Sequence, residues 1–199
     1  MDRAGALRRW FGTVSETGMI DRPRDALLID VAVGLLAGLV ATKVNGFAQQ
    51  ALYRPMPATI KDHEERVRPE PSSRVAARKI SAGLGYHPDE RRLRLATMAV
   101  HYGVGLAWGP VYGLLRRHAR MRPLGAAFVT GAAMSLVMDE ALVPTLGFSA
   151  PNRAFPATTH VRGFLGHLVY GAAAALTAET VYRLTGTSPE RAGASTPGD

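Results

Sequence analysis

Four long apolar stretches, at 26–52, 93–115, 123–147 and 161–184, alternate with segments that hold most of the charge of this 199-residue chain. A membrane-crossing helix needs about 20 mostly apolar residues, and each stretch has that length. The pattern predicts an all-α, four-span transmembrane helical bundle. Every stretch also carries ionisable groups inside it: Lys43 in the first, His101 in the second, Asp139 and Glu140 in the third, His167 in the fourth. An ionisable side chain within a bilayer costs at least a few kcal/mol, so it usually faces a partner or serves a function.

Small residues recur every fourth position along the same stretches. Gly34 and Gly38 do so in the first, and Gly105, Gly109 and Gly113 in the second. The third has Gly131 flanked by Ala127 and Ser135, and the fourth has Gly171 followed by Ala175. Such spacing gathers small side chains on one helix face and lets backbones approach closely where lipid removes the hydrophobic drive between helices. Each helix-interior glycine costs about 1 kcal/mol in water, which favours a membrane setting for so many of them. Pro110 should kink the second helix and free the carbonyl of Leu106.

The connecting segments differ in kind. Residues 53–92 form a long polar loop in which Val75, Ala76, Ile80 and Leu84 share a helical face, predicting an amphipathic helix on the membrane surface or over the bundle end. The run His63, Glu64, Glu65 within it reads as a solvated helix face. Residues 1–25 are a basic leader in which Leu7, Trp10 and Phe11 suit an interfacial helix, and 185–199 read as a disordered tail rich in Gly, Ser, Thr and Pro.

Net charge is +8, nearly all from arginine. Because the arginines flank apolar segments, the expected partner is a lipid bilayer, not nucleic acid. A homo-oligomer or a membrane partner subunit is compatible with the same pattern. The short cationic loop 116–122 stays cytoplasmic by the positive-inside rule and would place both termini there, although the basic residues of 53–92 oppose this orientation.

In an up-down bundle of this topology, Lys43, His101, Asp139, Glu140 and His167 fall roughly 9–14 Å below one boundary, at 1.5 Å per residue. Such a layer serves helix packing, through an ion pair of Lys43 with Asp139 or Glu140, or proton and ion handling. No cofactor is required by it. The alternative is a membrane redox protein that binds a divalent metal, or a haem between His101 and His167. Asp139 and Glu140 are about 100° apart on an α-helix, so both should not reach one ion. Glu179 and Arg183 read as an i,i+4 pair, and Asp30 as an interfacial group or the partner of a basic residue. No phosphate-binding loop, serine–histidine–acid set or cysteine is present, so the sequence leans away from an enzyme.

The first and third stretches also resemble each other. Gly38 to Val44 matches Gly131 to Val137, and His101 with Gly105 matches His167 with Gly171. A duplicated two-helix hairpin explains these matches. The run Arg162-Gly-Phe-Leu-Gly-His-Leu-Val-Tyr-Gly171 is similar to the last-helix motif of small bacterial inner-membrane proteins of the YagU type, a family of unknown function with a loose link to acid tolerance. The resemblance implies a multi-pass protein of the bacterial inner membrane, with His167 and its flanking glycines as a motif of unassigned role.

Overall fold

A computed structural model describes residues 23–189. The basic leader up to residue 22 and the tail from residue 190 lie outside the described residues, and so does the interfacial helix expected around Trp10. Among the described residues every regular element is helical. In chain order these are α1 (Pro23–Tyr53), α2 (Ala58–Val67), α3 (Ser72–Gly83), α4 (Glu90–Arg117), α5 (Pro123–Met134), a π-helical segment (Ser135–Leu142), the short α6 (Val143–Thr145), a 3-10 turn (Asn152–Ala154) and α7 (Ala157–Thr185).

Local chemistry sets these boundaries. Proline precedes the first residue of α2, α3 and α7 and occupies the first turn of α5, where its missing N–H loses no helical bond. Asp89 caps α4 by accepting from Arg92 N at 2.8 Å, while Glu90 and Arg116–Arg117 complement the helix dipole at the two ends. Helix α7 stops at Gly186, whose φ of 71° is the left-handed conformation that closes a helix without a side-chain penalty.

Helices α1, α4, α5 with its π extension, and α7 run up-down-up-down. Asp30 near the start of α1 meets Arg117 at the end of α4 and Tyr182 at the end of α7, which fixes one end of the bundle. At the other end α2 and α3 form a cap. His63 donates to Ala154 O at 2.9 Å and Lys79 to Gly147 O at 2.8 Å, so the cap is tied to the 147–155 connection. The amphipathic segment of the sequence is α3, which packs on α4 through buried Ala76 and Ala77, while Ile80 and Leu84 remain exposed.

Helices cross where side chains are absent. A Cβ at Gly38 would fall 2.6 Å from Gly105 O, and one at Gly34 would fall 2.6 Å from Pro110 N. Gly109 is held against Gly34 O in the same way, and Gly113 against Tyr182 and Asp30. The second hairpin repeats the device, with Gly131 against His167 O and Gly171 against Ala127 O. Helix α4 runs on through Pro110, against which Gly34 of α1 is packed.

These crossings also set a register between the halves. Gly38 meets the carbonyl of residue 105, and its counterpart Gly131 meets that of residue 167. The packing therefore equates Gly105 with His167, one turn away from the sequence match of His101 with His167. The two histidines do not occupy equivalent places.

The interior is polar and small. The largest fully buried side chains are Tyr112, Tyr170, Tyr182, Thr130, Asp30 and Ser135, with many alanines, Val33, Leu93 and Met134 among the other buried residues. Most leucines lie outside, although Val33 and Leu93 are buried: Leu28, Leu36 and Phe47 on α1, Leu124 and Phe128 on α5, Leu165 and Leu176 on α7 are all exposed. Among the described residues two helices are long and apolar enough to cross a membrane, Ala26–Tyr53 and Pro123–Thr145. Helices α4 and α7 are as long but dilute their apolar residues with glycine, histidine, tyrosine and threonine.

Candidate functional site

A cavity of about 790 Å³ lies at the capped end, between the long helices and the α2–α3 link. Its wall gathers His101 from α4, Asp139 and Glu140 from the π segment, and His167 from α7, four of the five ionisable residues that the sequence places in one layer. His160, Arg162 and Arg68 join them.

Lys43 does not belong to this set. Helix α1 turns Asp30, Val33, Ala37, Ala41 and Thr42 inward at helical spacing, all of them buried. Lys43 is one position further round, exposed on the outer surface. The inward polar groups at that level are instead Thr42, which donates to Gly38 O at 2.7 Å, then Asn45 and Gln49. An ion pair of Lys43 with Asp139 or Glu140 is absent from the structure; both carboxylates face histidines.

The two adjacent carboxylates reach one cavity because they sit in a π-helix. Its wider turn reduces the angle between successive side chains below the α-helical 100°. Pro144 supplies a local reason for the irregularity, since it has no N–H to offer the carbonyl of Glu140 four residues back. Asn152 Nδ2 donates to that carbonyl instead, at 2.8 Å.

Each carboxylate has its own imidazole. His167 Nδ1 lies 2.9 Å from Gly163 O and 3.3 Å from Asp139 Oδ2. A carbonyl only accepts, so the Nδ1 proton points between these two oxygens and Nε2 is left as the basic nitrogen. His160 is arranged differently. Its Nδ1 lies 2.7 Å from Glu140 Oε1 and its Nε2 lies 3.1 Å from Asn152 O. Both ring nitrogens face acceptors, which favours the doubly protonated ring. The hydrogen bond to Glu140 pushes the His160 pKa above the ordinary histidine value, against the opposing effect of partial burial.

The arginines are also held. Arg162 donates through Nη2 to Glu64 Oε2 at 2.5 Å and stands over the Tyr53 ring at 4.9 Å. Glu64 is buried and accepts from Thr159 Oγ1 too, so the run His63, Glu64, Glu65 is not a solvated face: Glu64 points into the bundle and only Glu65 points away. Arg68 stands over Phe155 at 5.7 Å. Glu70, on the cap wall, is held below the usual carboxylate range by Arg78 and Arg74.

A second polar cluster closes the opposite end. Asp30 binds Arg117 and Tyr182, and Glu179 accepts from Arg116 Nε at 2.6 Å and Tyr112 at 2.8 Å. Glu179 therefore pairs across the bundle with Arg116, not along its own helix with exposed Arg183.

His160 and Arg162 were not among the residues that the apolar layer singles out, because both precede the charge-free core of the last stretch. A periodic signal was available: His160, Gly163, His167 and Tyr170 follow a 3-4-3 spacing along one face of α7. Among the described residues no three His, Asp or Glu side chains converge as a metal-ligand group. No known family model matches the chain, and neither a curated protein nor a solved structure does so.

Proposed function

We propose that the chain is a four-span integral membrane protein whose capped-end cavity takes up and releases protons through two imidazole–carboxylate pairs. The membrane reading is supported by an interior rich in tyrosine, alanine, threonine and charge, with most of the leucines outside. In water an exposed apolar belt on all four long helices invites aggregation, whereas lipid is its natural solvent. Helices α4 and α7 would cross under the cover of α1 and α5. The YagU-type resemblance adds the bacterial inner membrane, and the cationic 116–122 loop adds a cytoplasmic side for both termini.

One observation carries the proton reading: consecutive carboxylates on a π segment face separate histidines in one cavity. His167, with Nδ1 committed to Gly163 O and Asp139, offers Nε2 as the proton-accepting nitrogen. The Asp139 carboxylate stabilises the imidazolium that forms. His160 with Glu140, set nearer the cap, already holds a shared proton and supplies a second station. Tyr170 seals the inner floor by donating to Gly105 O at 2.5 Å.

The test is proton flux into liposomes loaded with a pH-sensitive dye, driven by an acid jump. Wild-type protein should accelerate dye response, and His167→Ala and Asp139→Asn should each abolish the acceleration. Flux that is unchanged in both variants overturns the proton reading. Release of the protein from native membranes by carbonate wash would overturn the membrane placement.

A further inference from the structure

We infer that Asn152 is the positioning residue of the Glu140–His160 pair: it holds both partners, and so selects the ring nitrogen through which His160 exchanges its proton. The inference rests on the proton reading above for its functional meaning, but its geometry is tested without any flux.

Asn152 opens the 3-10 turn Asn152–Ala154, which lies between Pro151 and Pro156. Each proline fixes its own φ and restricts the residue before it. Within the turn Ala154 N donates to Pro151 O at 2.9 Å and Phe155 N to Asn152 O at 3.0 Å. From the cap, His63 donates to Ala154 O at 2.9 Å. The turn is therefore braced on both sides and serves as a fixed support.

Asn152 uses this support in two directions. Its side chain donates through Nδ2 to Glu140 O at 2.8 Å, the carbonyl that Pro144 cannot serve. A carbonyl only accepts, so the amide must present its nitrogen there. Its backbone oxygen accepts from His160 Nε2 at 3.1 Å. The backbone of the acid and the ring of its partner are thus referenced to one residue, and Glu140 Oε1 meets His160 Nδ1 at 2.7 Å. All three residues line the cavity.

The choice of nitrogen follows from these bonds. Because Asn152 O can only accept, Nε2 keeps its proton, and the exchangeable proton is the one on Nδ1 facing Glu140. His167 is wired the other way, with Nδ1 on Gly163 O and Nε2 left to exchange. The two histidines of one cavity therefore work through different nitrogens, each chosen by a carbonyl bound to the other nitrogen. Other charged groups surround the pair without replacing these bonds. Asp139 acts on His160 in the same direction as Glu140 but is itself paired with His167. Arg68 stands over Phe155, whose ring meets His160 edge-on at 6.4 Å, and Arg162 is taken by Glu64.

The test is nitrogen NMR of the detergent-purified full chain labelled with 15N-histidine, the His160 signals being assigned by their loss in His160→Gln. In wild type Nε2 should stay protonated at every pH while Nδ1 titrates. Asn152→Ala removes the donor to Glu140 O and unties the turn from the π segment. The His160 midpoint should then fall by about half to one pH unit, the worth of one hydrogen bond, and Nε2 should begin to titrate. Arg153→Gln alters an exposed neighbour on the same turn and should lower neither midpoint nor Nε2 protonation. Liposome flux through Asn152→Ala should move to lower pH by a similar amount. A wild-type midpoint and nitrogen pattern in Asn152→Ala overturns the inference, and so does an equal fall in Arg153→Gln. A shifted titration with a wild-type flux profile overturns it too, by taking the pair out of the proton path. Absent flux in wild type, with the nitrogen pattern as expected, strikes the proton reading and leaves the positioning role standing.

Discussion

Asp30 and Arg117, 87 residues apart, form a two-toothed ion pair in which Nε reaches Oδ2 and Nη2 reaches Oδ1 at 3.0 Å. Tyr182 adds its hydroxyl to Oδ1 at 2.8 Å, so three helices converge on one buried carboxylate. Removing one partner of a buried pair leaves an uncompensated charge and typically costs 3–5 kcal/mol, more than the pair itself contributes. Arg117→Ala should therefore lower the unfolding free energy in detergent by about 3–5 kcal/mol. The double change Arg117→Ala with Asp30→Ala should recover part of that loss. A double variant that is as weak as the sum of the two single variants would contradict this account.

Glycines on these helices fall into two groups with opposite expectations. Gly109 is pressed on the backbone of Gly34, which cannot swing away, and Gly109→Ala should force α1 and α4 apart at a cost of about 1–3 kcal/mol or more. Gly103, on the same helix, has nothing within 4 Å of a would-be Cβ. Gly103→Ala should be neutral or stabilise by up to about 1 kcal/mol through helix propensity. Thermal denaturation of the two variants, read side by side, checks the contrast.

His160 sets a pH dependence. Its folded pKa is raised by Glu140 above the unfolded value of about 6.5. A raised pKa gives stability that is fully present below the unfolded value and is lost as pH rises through the folded one. The melting temperature should fall as pH is raised from about 6 through the neutral range. His160→Gln should flatten that part of the profile. The effect is small, because both side chains are about one-third exposed and water screens the pair. A wild-type profile that rises with pH over this window contradicts the assignment.

What the sequence makes legible follows from which interactions are periodic. The close-packed glycines repeat every four residues on long helices, so Gly34, Gly38, Gly105, Gly109, Gly113, Gly131 and Gly171 can be read before any coordinates exist. His101, Asp139, Glu140 and His167 stand out because each interrupts an apolar run. Lys43 interrupts one as well, but hydropathy has no angular component, and Lys43 is about 100° from the inward Thr42. The π-helix was not legible, since nothing in Ser135 to Leu142 alone announces a wider turn. Glu64 and Arg162 were hidden because they meet across 98 residues, among polar residues that look solvated in one dimension. His160 was hidden because it precedes the charge-free core of its stretch, although its partners Glu140 and Asn152 are only 20 and 8 residues away.

Glu64 and Glu65 carry the last prediction, because two neighbouring acids of one helix have opposite fates. Glu64 is 3% exposed and receives Arg162 and Thr159 of α7, whereas Glu65 is exposed. Through Glu64, α2 is pinned to the start of α7 and the cap is held over the cavity. Glu64→Ala leaves the Arg162 charge nearly buried and unpaired, so α2 should detach before the bundle melts. Limited proteolysis should then cut within 54–71 at least about tenfold faster than in wild type, if local opening follows the loss of more than 1.4 kcal/mol. Glu65→Ala should cut at the wild-type rate. Equal rates in the two variants would show that the cap is not held by the Glu64–Arg162 contact.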